Sequence, residues 1–382
     1  MNDGIQLAII GGGQRGRAHV KESYDVRDAN YLYSDRSDEY PDRLYDQYAN
    51  RVPSWVDDVS DLQPEIAAIM DPSEEERRKT SEICERHGDE PELFQTLDEL
   101  LATAEFNAAI VASPPAVHKE ALLPLMDGDI DILCEKGIVT TLADYDEIIE
   151  AHERSDSTFY SGFNLRSSPY FMRIKELLSD DIVGDLGMIS CQEARGPFFA
   201  RYAYSREMGG GALLDKNSHD FDVFNWFVES DPVHVFAYGG QHALKENNNV
   251  KDHASVVIEY ADNTVATLEL CLFAPFGERT RLYELRGDEG LLRTPEGDQE
   301  NIRFFGKMKR DEYSVRSPKS SGHGGADYIQ MKRFLRCVQG EEEPPATLMD
   351  AKKSAAIAFG AEKSIDDGIE VQITDDYNIE EA

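Results

Sequence analysis

Apolar positions along this chain follow two regimes. Up to about residue 155, short apolar runs at 5–10, 65–70, 106–112 and 130–134 are separated by longer amphipathic or acidic stretches. Runs of that length, bounded by turn residues, read as buried strands. Ser73 followed by Glu74-Glu75-Glu76 opens a capped acidic helix that closes near Gly88, and 93–101 holds a short strand and an acidic helix. Such alternation predicts a parallel, doubly wound sheet. After a strand at 158–163 the runs lengthen and alternate, at 187–194, 232–238, 254–260 and 264–272. Segments 281–287 and 290–294 read as a hairpin around Asp288-Glu289. Late helices are expected at 326–339 and 351–366, on either side of an acidic turn at 341–345. The fold class is therefore α/β plus α+β. A doubly wound domain over 1–157 carries an insertion at about 20–63, and 158–382 forms an α+β domain with a large, open, mainly antiparallel or mixed sheet.

The first run leads directly into Gly11-Gly12-Gly13-Gln14-Arg15-Gly16 and then a stretch that can begin a helix. Strand, glycine turn and helix start is the order a phosphate loop requires, with the helix N-terminus facing a pyrophosphate. The N-terminal domain thus reads as a Rossmann dinucleotide-binding domain, with Gly11, Gly13, Gln14 and Arg15 at the pyrophosphate. Its second strand should end in an acid that holds the adenosine ribose. Asp35 sits at the usual distance, but Asp71 ends the better strand and is preferred. An acid there favours NAD, with Arg15 or Arg77 as the groups that would swing in to hold the 2′-phosphate of NADP. Residues 106–112 run into Ser113-Pro114-Pro115-Ala116-Val117-His118, and 130–134 into Glu135-Lys136-Gly137, both at the carboxyl edge where such sheets bind ligands.

The segment Gly209-Gly210-Gly211-Ala212-Leu213-Leu214-Asp215-Lys216-Asn217-Ser218-His219 carries the second half of the chemistry. Asp215 and His219 are four apart and share a face if helical, continued by Asp222 and Trp226. A histidine accepts a hydroxyl proton near neutral pH, and a carboxylate one turn away orients it. Asp215, His219 and His323 also have a spacing compatible with metal ligation, but the charge of Lys136 argues against it, and no metal is expected.

Composition narrows the class. Seventy-four acidic residues against 39 basic ones give a net charge of −35. Such a surface repels nucleic acid and anionic membranes. Spread along the whole chain, it reads as adaptation to a cytoplasm of molar salt, where screening removes most self-repulsion. The five cysteines are scattered singly, with no metal or disulfide pattern, and no signal peptide or membrane-spanning run is visible. A reducing cytoplasm is expected.

Together the glycine loop, Asp71-Pro72, the Ser-Pro-x-x-x-His loop, Glu135-Lys136 and Gly-Gly-Gly-x-Leu-x-Asp-x-x-x-His-x-x-Asp resemble the Gfo/Idh/MocA oxidoreductases along nearly the whole chain. The resemblance implies that Lys136, Asp215 and His219 act at the nicotinamide. It implies cofactor contacts by Ser113, Pro114, His118 and Glu135, and a homodimer or homotetramer. Asn164, Arg166 and His323 are expected at polar groups of a sugar, cyclitol or sugar-acid substrate. Two departures stand out: Gly137 replaces the family's usual proline after Glu-Lys, and the insertion precedes Asp71. The Gly322-His323-Gly324-Gly325 segment resembles family branches acting on sugars and glycosides, so a redox-assisted glycosidase with retained NAD is an alternative to a dehydrogenase. A non-catalytic NAD-binding regulator is the third reading, and Lys136, Asp215 and His219 count against it.

Overall fold

The computed structural model describes residues 4–34, 59–197, 201–245, 249–275, 280–294, 301–315 and 323–382. In chain order the first half holds β1 (Gln6–Ile10), α1 (Gln14–Ser34), β2 (Glu65–Met70), α2 (Glu74–Arg86), β3 (Glu92–Phe94), α3 (Leu97–Thr103), β4 (Ala108–Val111), α4 (His118–Asp127), β5 (Asp131–Cys134), α5 (Leu142–His152), β6 (Phe159–Ser161) and α6 (Pro169–Ser179). Then follow β7 (Leu186–Ala194), α7 (Arg206–Gly209), α8 (Ser218–Val228), β8 (Pro232–Gly240), β9 (His253–Tyr260), β10 (Val265–Cys271), β11 (Thr280–Gly287), β12 (Gly290–Arg293), β13 (Asn301–Gly306) and β14 (Arg310–Ser314). The chain closes with α9 (Ala326–Val338), α10 (Leu348–Asp367), β15 (Val371–Ile373) and β16 (Ile379–Glu381).

Contacts divide the chain into two compact, discontinuous units. The first comprises Met1–Ile138, Asp146–Pro169 and Ser317–Leu348; the second Val139–Tyr145, Tyr170–Arg316 and Met349–Ala382. In the first unit six parallel strands run in the order β3-β2-β1-β4-β5-β6. Ile9 lies opposite Ile69 on one side and Ile110 on the other. Their burial explains why the strands read as continuous apolar runs. Strand order reverses between β1 and β4, so the loops leaving these two strands bound the crevice where such sheets bind ligands. Residues 317–348, far along the chain, belong here because Ile329, Met331, Phe334 and Leu335 of α9 complete the core around Val20 and Tyr24 of α1. Helix α1 extends to Ser34, so the first part of the expected insertion is helix; 35–58, including Asp35, lie outside the described residues.

The second unit is built on a ten-stranded sheet in the order β14-β13-β12-β11-β7-β10-β9-β8-β15-β16, antiparallel except for β7 beside β10. Its alternation is clearest in β9, where Ala254, Val256, Ile258 and Tyr260 are buried and Ser255, Val257 and Glu259 are exposed. Phe171, Phe224, Phe227 and Tyr283 form an aromatic cluster on the buried side. The other face leaves Tyr238, Met188 and Val257 exposed at 72, 51 and 47%. Among the described residues, no helix is long and apolar enough to cross a membrane.

Candidate functional site

The chain turns sharply after β1 at Gly11, whose φ is +100° and whose Cβ, if present, would lie 2.7 Å from Ser113 N. Only glycine lets this loop pass the end of β4. Asp71, directly after β2, reaches the same loop. Its Oδ2 accepts from Gly12 N at 2.9 Å and its Oδ1 from Ser73 N at 2.8 Å. A carboxylate has further lone pairs to offer, so this contact leaves Asp71 able to accept from ribose hydroxyls. Thr80 Oγ1 and Arg17 Nη1 each donate to Gly12 O at 2.8 Å. Arg17 also pairs with Glu76, and Arg77 donates to Asp71 O. Arg15, expected at the pyrophosphate, turns instead to buried acids.

These residues fit an NAD. A Cβ built on Gly13 would meet nothing within 4 Å, so the loop is open where a pyrophosphate must approach. Gln14 opens α1, whose first amides have no partner within the helix. At the end of β4, Ser113 Oγ is buried without a hydrogen-bond partner among the described residues. Pro114 leads into a short 3-10 turn, Pro115–Val117. His118, by contrast, is fully buried, with Nδ1 2.8 Å from Ile138 O and Nε2 2.6 Å from Ser113 O. Burial pushes its pKa down, against the pull of those carbonyls. The ring staples the loop after β4 to the loop after β5.

Beside this crevice the first unit buries a charged cluster that composition did not reveal. Glu135 Oε1 accepts from Arg15 Nε at 2.5 Å and lies 2.7 Å from His19 Nε2. His19 Nδ1 stands 3.0 Å from Glu22 Oε2, an ion pair without a linear hydrogen bond. The Arg15 fork meets both oxygens of Asp327, at 3.2 and 3.3 Å. Asp327 also takes Asn164 Nδ2 and His323 Nδ1, each at 2.7 Å. Burial alone would raise the carboxyls, but Arg15 and His19 hold Glu135 well below the usual range, and His323 and Arg15 do so for Asp327. Burial and Arg15 press His19 downward, yet Glu22 and Glu135 prevail and raise it to about 9.

Three expected site residues, Arg15, Glu135 and Asn164, therefore meet in one cluster with His323. His323 is half-exposed and sits at φ +53°, a left-handed conformation rarely adopted by non-glycine residues. Arg166 is apart: it is buried and donates to Pro345 O at 2.7 Å. His19, Glu22 and Asp327 went unnoticed in the sequence. The signal was present for Asp327, whose spacing from His323 is that of Asp215 from His219.

In the second unit the expected α-helical face is altered. Leu213–Asn217 form a π-helical turn before α8 begins, so Asp215 and His219 straddle a change in helical pitch. Such turns are rare and frequent at functional sites. Asp215 is buried; its N–H donates to Gly211 O at 3.0 Å and its Oδ2 lies 3.2 Å from Lys216 Nζ. His219 is half-buried. The turn is held from beneath. Asn217 Nδ2 donates to Glu193 Oε2 at 2.8 Å and to Asp220 Oδ2 at 2.9 Å. Arg281 pairs with the same two acids at 3.5 and 3.2 Å, and Tyr283 OH donates to Asp220. Burial raises the Glu193 carboxyl; Arg281 opposes and Asp220 adds to the rise.

Comparison with known proteins divides the chain in linear order, so the C-terminal match also spans α9, which packs into the first unit. Residues 5–163 match the model of the oxidoreductase family's NAD-binding Rossmann fold, and 175–373 that of its C-terminal alpha/beta domain. Myo-inositol 2-dehydrogenase of Thermotoga maritima is 25% identical over 81% of this chain and 91% of its own length. The putative oxidoreductase YteT of Bacillus subtilis is 31% identical, over 37% of this chain and 34% of its own. The same fold is seen in an oxidoreductase domain protein from Kribbella flavida, with a TM-score of 0.81 at 15% identity over 97% of this chain and 100% of that one. It is seen again in an Agrobacterium radiobacter oxidoreductase solved with NAD+, L-tartaric acid and magnesium, with a TM-score of 0.78 at 15% identity over 96% and 98%. The chain belongs to the Gfo/Idh/MocA family of oxidoreductases, and residues 5–163 are that family's NAD-binding Rossmann fold.

Proposed function

We propose that this protein is a dehydrogenase that transfers hydride between a secondary alcohol carbon of a sugar, cyclitol or sugar acid and NAD. The observation that carries this reading is the full set of groups a hydroxyl oxidation needs: Lys136 after β5, and Asp215 and His219 about a π-turn. The relative named as an inositol dehydrogenase supports the polyol class. Bound NAD+ supplies the hydride acceptor. His219 takes the hydroxyl proton as the carbon gives up its hydride and the C=O bond forms. General-base assistance of this kind contributes about 10²–10⁴-fold. Lys136 stabilises negative charge on the oxygen, and Asp215 orients the base or the substrate. Asp71 accepts from the ribose and disfavours a 2′-phosphate. The exposed apolar side of the ten-stranded sheet is where a second copy of the chain would pack, giving a homodimer or homotetramer. The test is a panel of sugars, cyclitols and sugar acids with NAD or NADP in molar KCl, followed by NADH absorbance.

One observation favours a second reading. His323 oriented by Asp327 at 2.7 Å is the kind of acid a departing glycosidic oxygen needs. Glycoside cleavage without added NAD would support redox-assisted hydrolysis; steady NADH formation from a free polyol would exclude it as the main activity.

A further inference from the structure

The loop that carries Lys136 continues into Gly137, a residue that leaves the backbone free, yet its neighbours are held firmly. Before Lys136, Glu135 N donates to Val111 O at 2.9 Å and Gly162 N to Cys134 O at 2.7 Å. Gly162 has to be glycine: a Cβ there would lie 2.7 Å from Cys134 O, 2.9 Å from Glu135 Cα and 3.1 Å from Lys136 N. After Lys136, the Ile138 carbonyl is taken by His118 at 2.8 Å. These contacts fix main chain on both sides of Lys136 and Gly137. The side chain of Glu135 is fixed separately, by two donors from the first two turns of α1.

We propose that Arg15 and His19 are positioning residues for Lys136: by clamping Glu135, they stiffen a loop that Gly137 would otherwise leave free. Three features make the clamp rigid. Glu135 is buried and meets two nitrogens, Arg15 Nε and His19 Nε2, on one oxygen. Arg15 is itself braced by Asp327, which Asn164 and His323 hold in turn. His19 is braced from its other nitrogen by Glu22. The charge-assisted hydrogen bonds of Arg15 to Glu135 and Asp327 are of the strong kind, and they tie the loop end to two helices. The inference rests on the reading that Lys136 serves the chemistry, but its test does not need turnover.

Lys136 is half-buried. Competitive acetylation of the full-length protein with acetic anhydride, without substrate or NAD, reads its reactivity by peptide mass spectrometry. The well-exposed Lys307 and Lys309 serve as internal references. In His19→Ala, Lys136 should label at least about threefold faster than in the wild type, because loosening a loop raises the population of its open forms. His19→Gln, whose amide keeps a donor where Nε2 stands, should label as the wild type does. Adding Gly137→Pro to His19→Ala should slow labelling again. Unchanged labelling in a folded His19→Ala protein, or a His19→Gln protein that labels as fast as His19→Ala, overturns the proposal. If His19→Ala does not fold, Arg15→Gln is read the same way, with faster labelling expected and unchanged labelling fatal. A negative result here leaves polyol oxidation standing, and a negative polyol panel leaves this result standing.

Discussion

His19 gives the buried cluster a pH signature. Its pKa rises from an ordinary 6.5 to about 9 in the fold, a native-state preference for the imidazolium on the order of 3 kcal/mol. The groups facing it are Glu22 on its own helix, Glu135 from the end of β5 and the opposing cation Arg15, itself paired with Asp327 of α9. A raised pKa contributes stability that is fully present below the unfolded value and lost as pH rises through the folded one. The first unit should therefore lose on the order of 3 kcal/mol between roughly pH 6.5 and pH 10. His19→Gln carries no titrating ring and should lack that part of the slope. Buried thiols complicate the wild-type curve, since burial pushes Cys84 to about 11 and Cys337 to about 12. They contribute equally to both proteins, so the difference between the two curves isolates His19. Urea unfolding in constant molar KCl, with pulse-labelled α1 and α9 peptides read by mass spectrometry, follows this unit alone. Parallel pH profiles for wild type and His19→Gln would refute the argument, because the imidazolium would then not be the native form.

Other outcomes follow from the same structure. Asp71→Ala removes the acceptor for Gly12 and Ser73; calorimetry should show NAD binding weakened about tenfold or more, with NADP affected less, since hydrogen bonds to a charged group are worth about 1.5–3 kcal/mol. With a net charge of −35, lowering KCl from about 1 M to about 0.1 M lengthens the screening distance from about 3 to about 10 Å, and Tm should fall; a Tm that holds or rises would contradict salt adaptation. Replacing Tyr238 and Val257 with glutamate charges the exposed sheet face, and sedimentation should show a smaller species than the wild type.

Much of this was legible in the sequence for definite reasons. The glycine loop, Asp71 and Glu135-Lys136 stood out because fully buried parallel strands read as apolar runs whose ends mark the sheet's carboxyl edge. Strands β13 and β14 were missed because the edge pair is only partly buried, with a pattern in β14 that never reaches the core. Strands β15 and β16 are only three residues each. The π-turn at Leu213–Asn217 has no composition of its own; it differs from an α-helix only in which carbonyl each amide finds. Linear order also hides that α9 completes the core of the first unit, although it lies some 300 residues after α1. The cluster of Arg15, His19, Glu135 and Asp327 was invisible for that reason: three of its members look like helix-surface charges until the partner helix arrives.

The central claim is that His219 is the base of an NAD-dependent hydroxyl oxidation. The direct measurement compares wild type and His219→Asn on a polyol the wild type oxidises, by NADH formation at saturating NAD in molar KCl, with NAD affinity measured separately. The account predicts continuous NADH formation by the wild type, a loss of about 10²-fold or more in the variant and unchanged NAD affinity. Turnover by His219→Asn at the wild-type rate would contradict it.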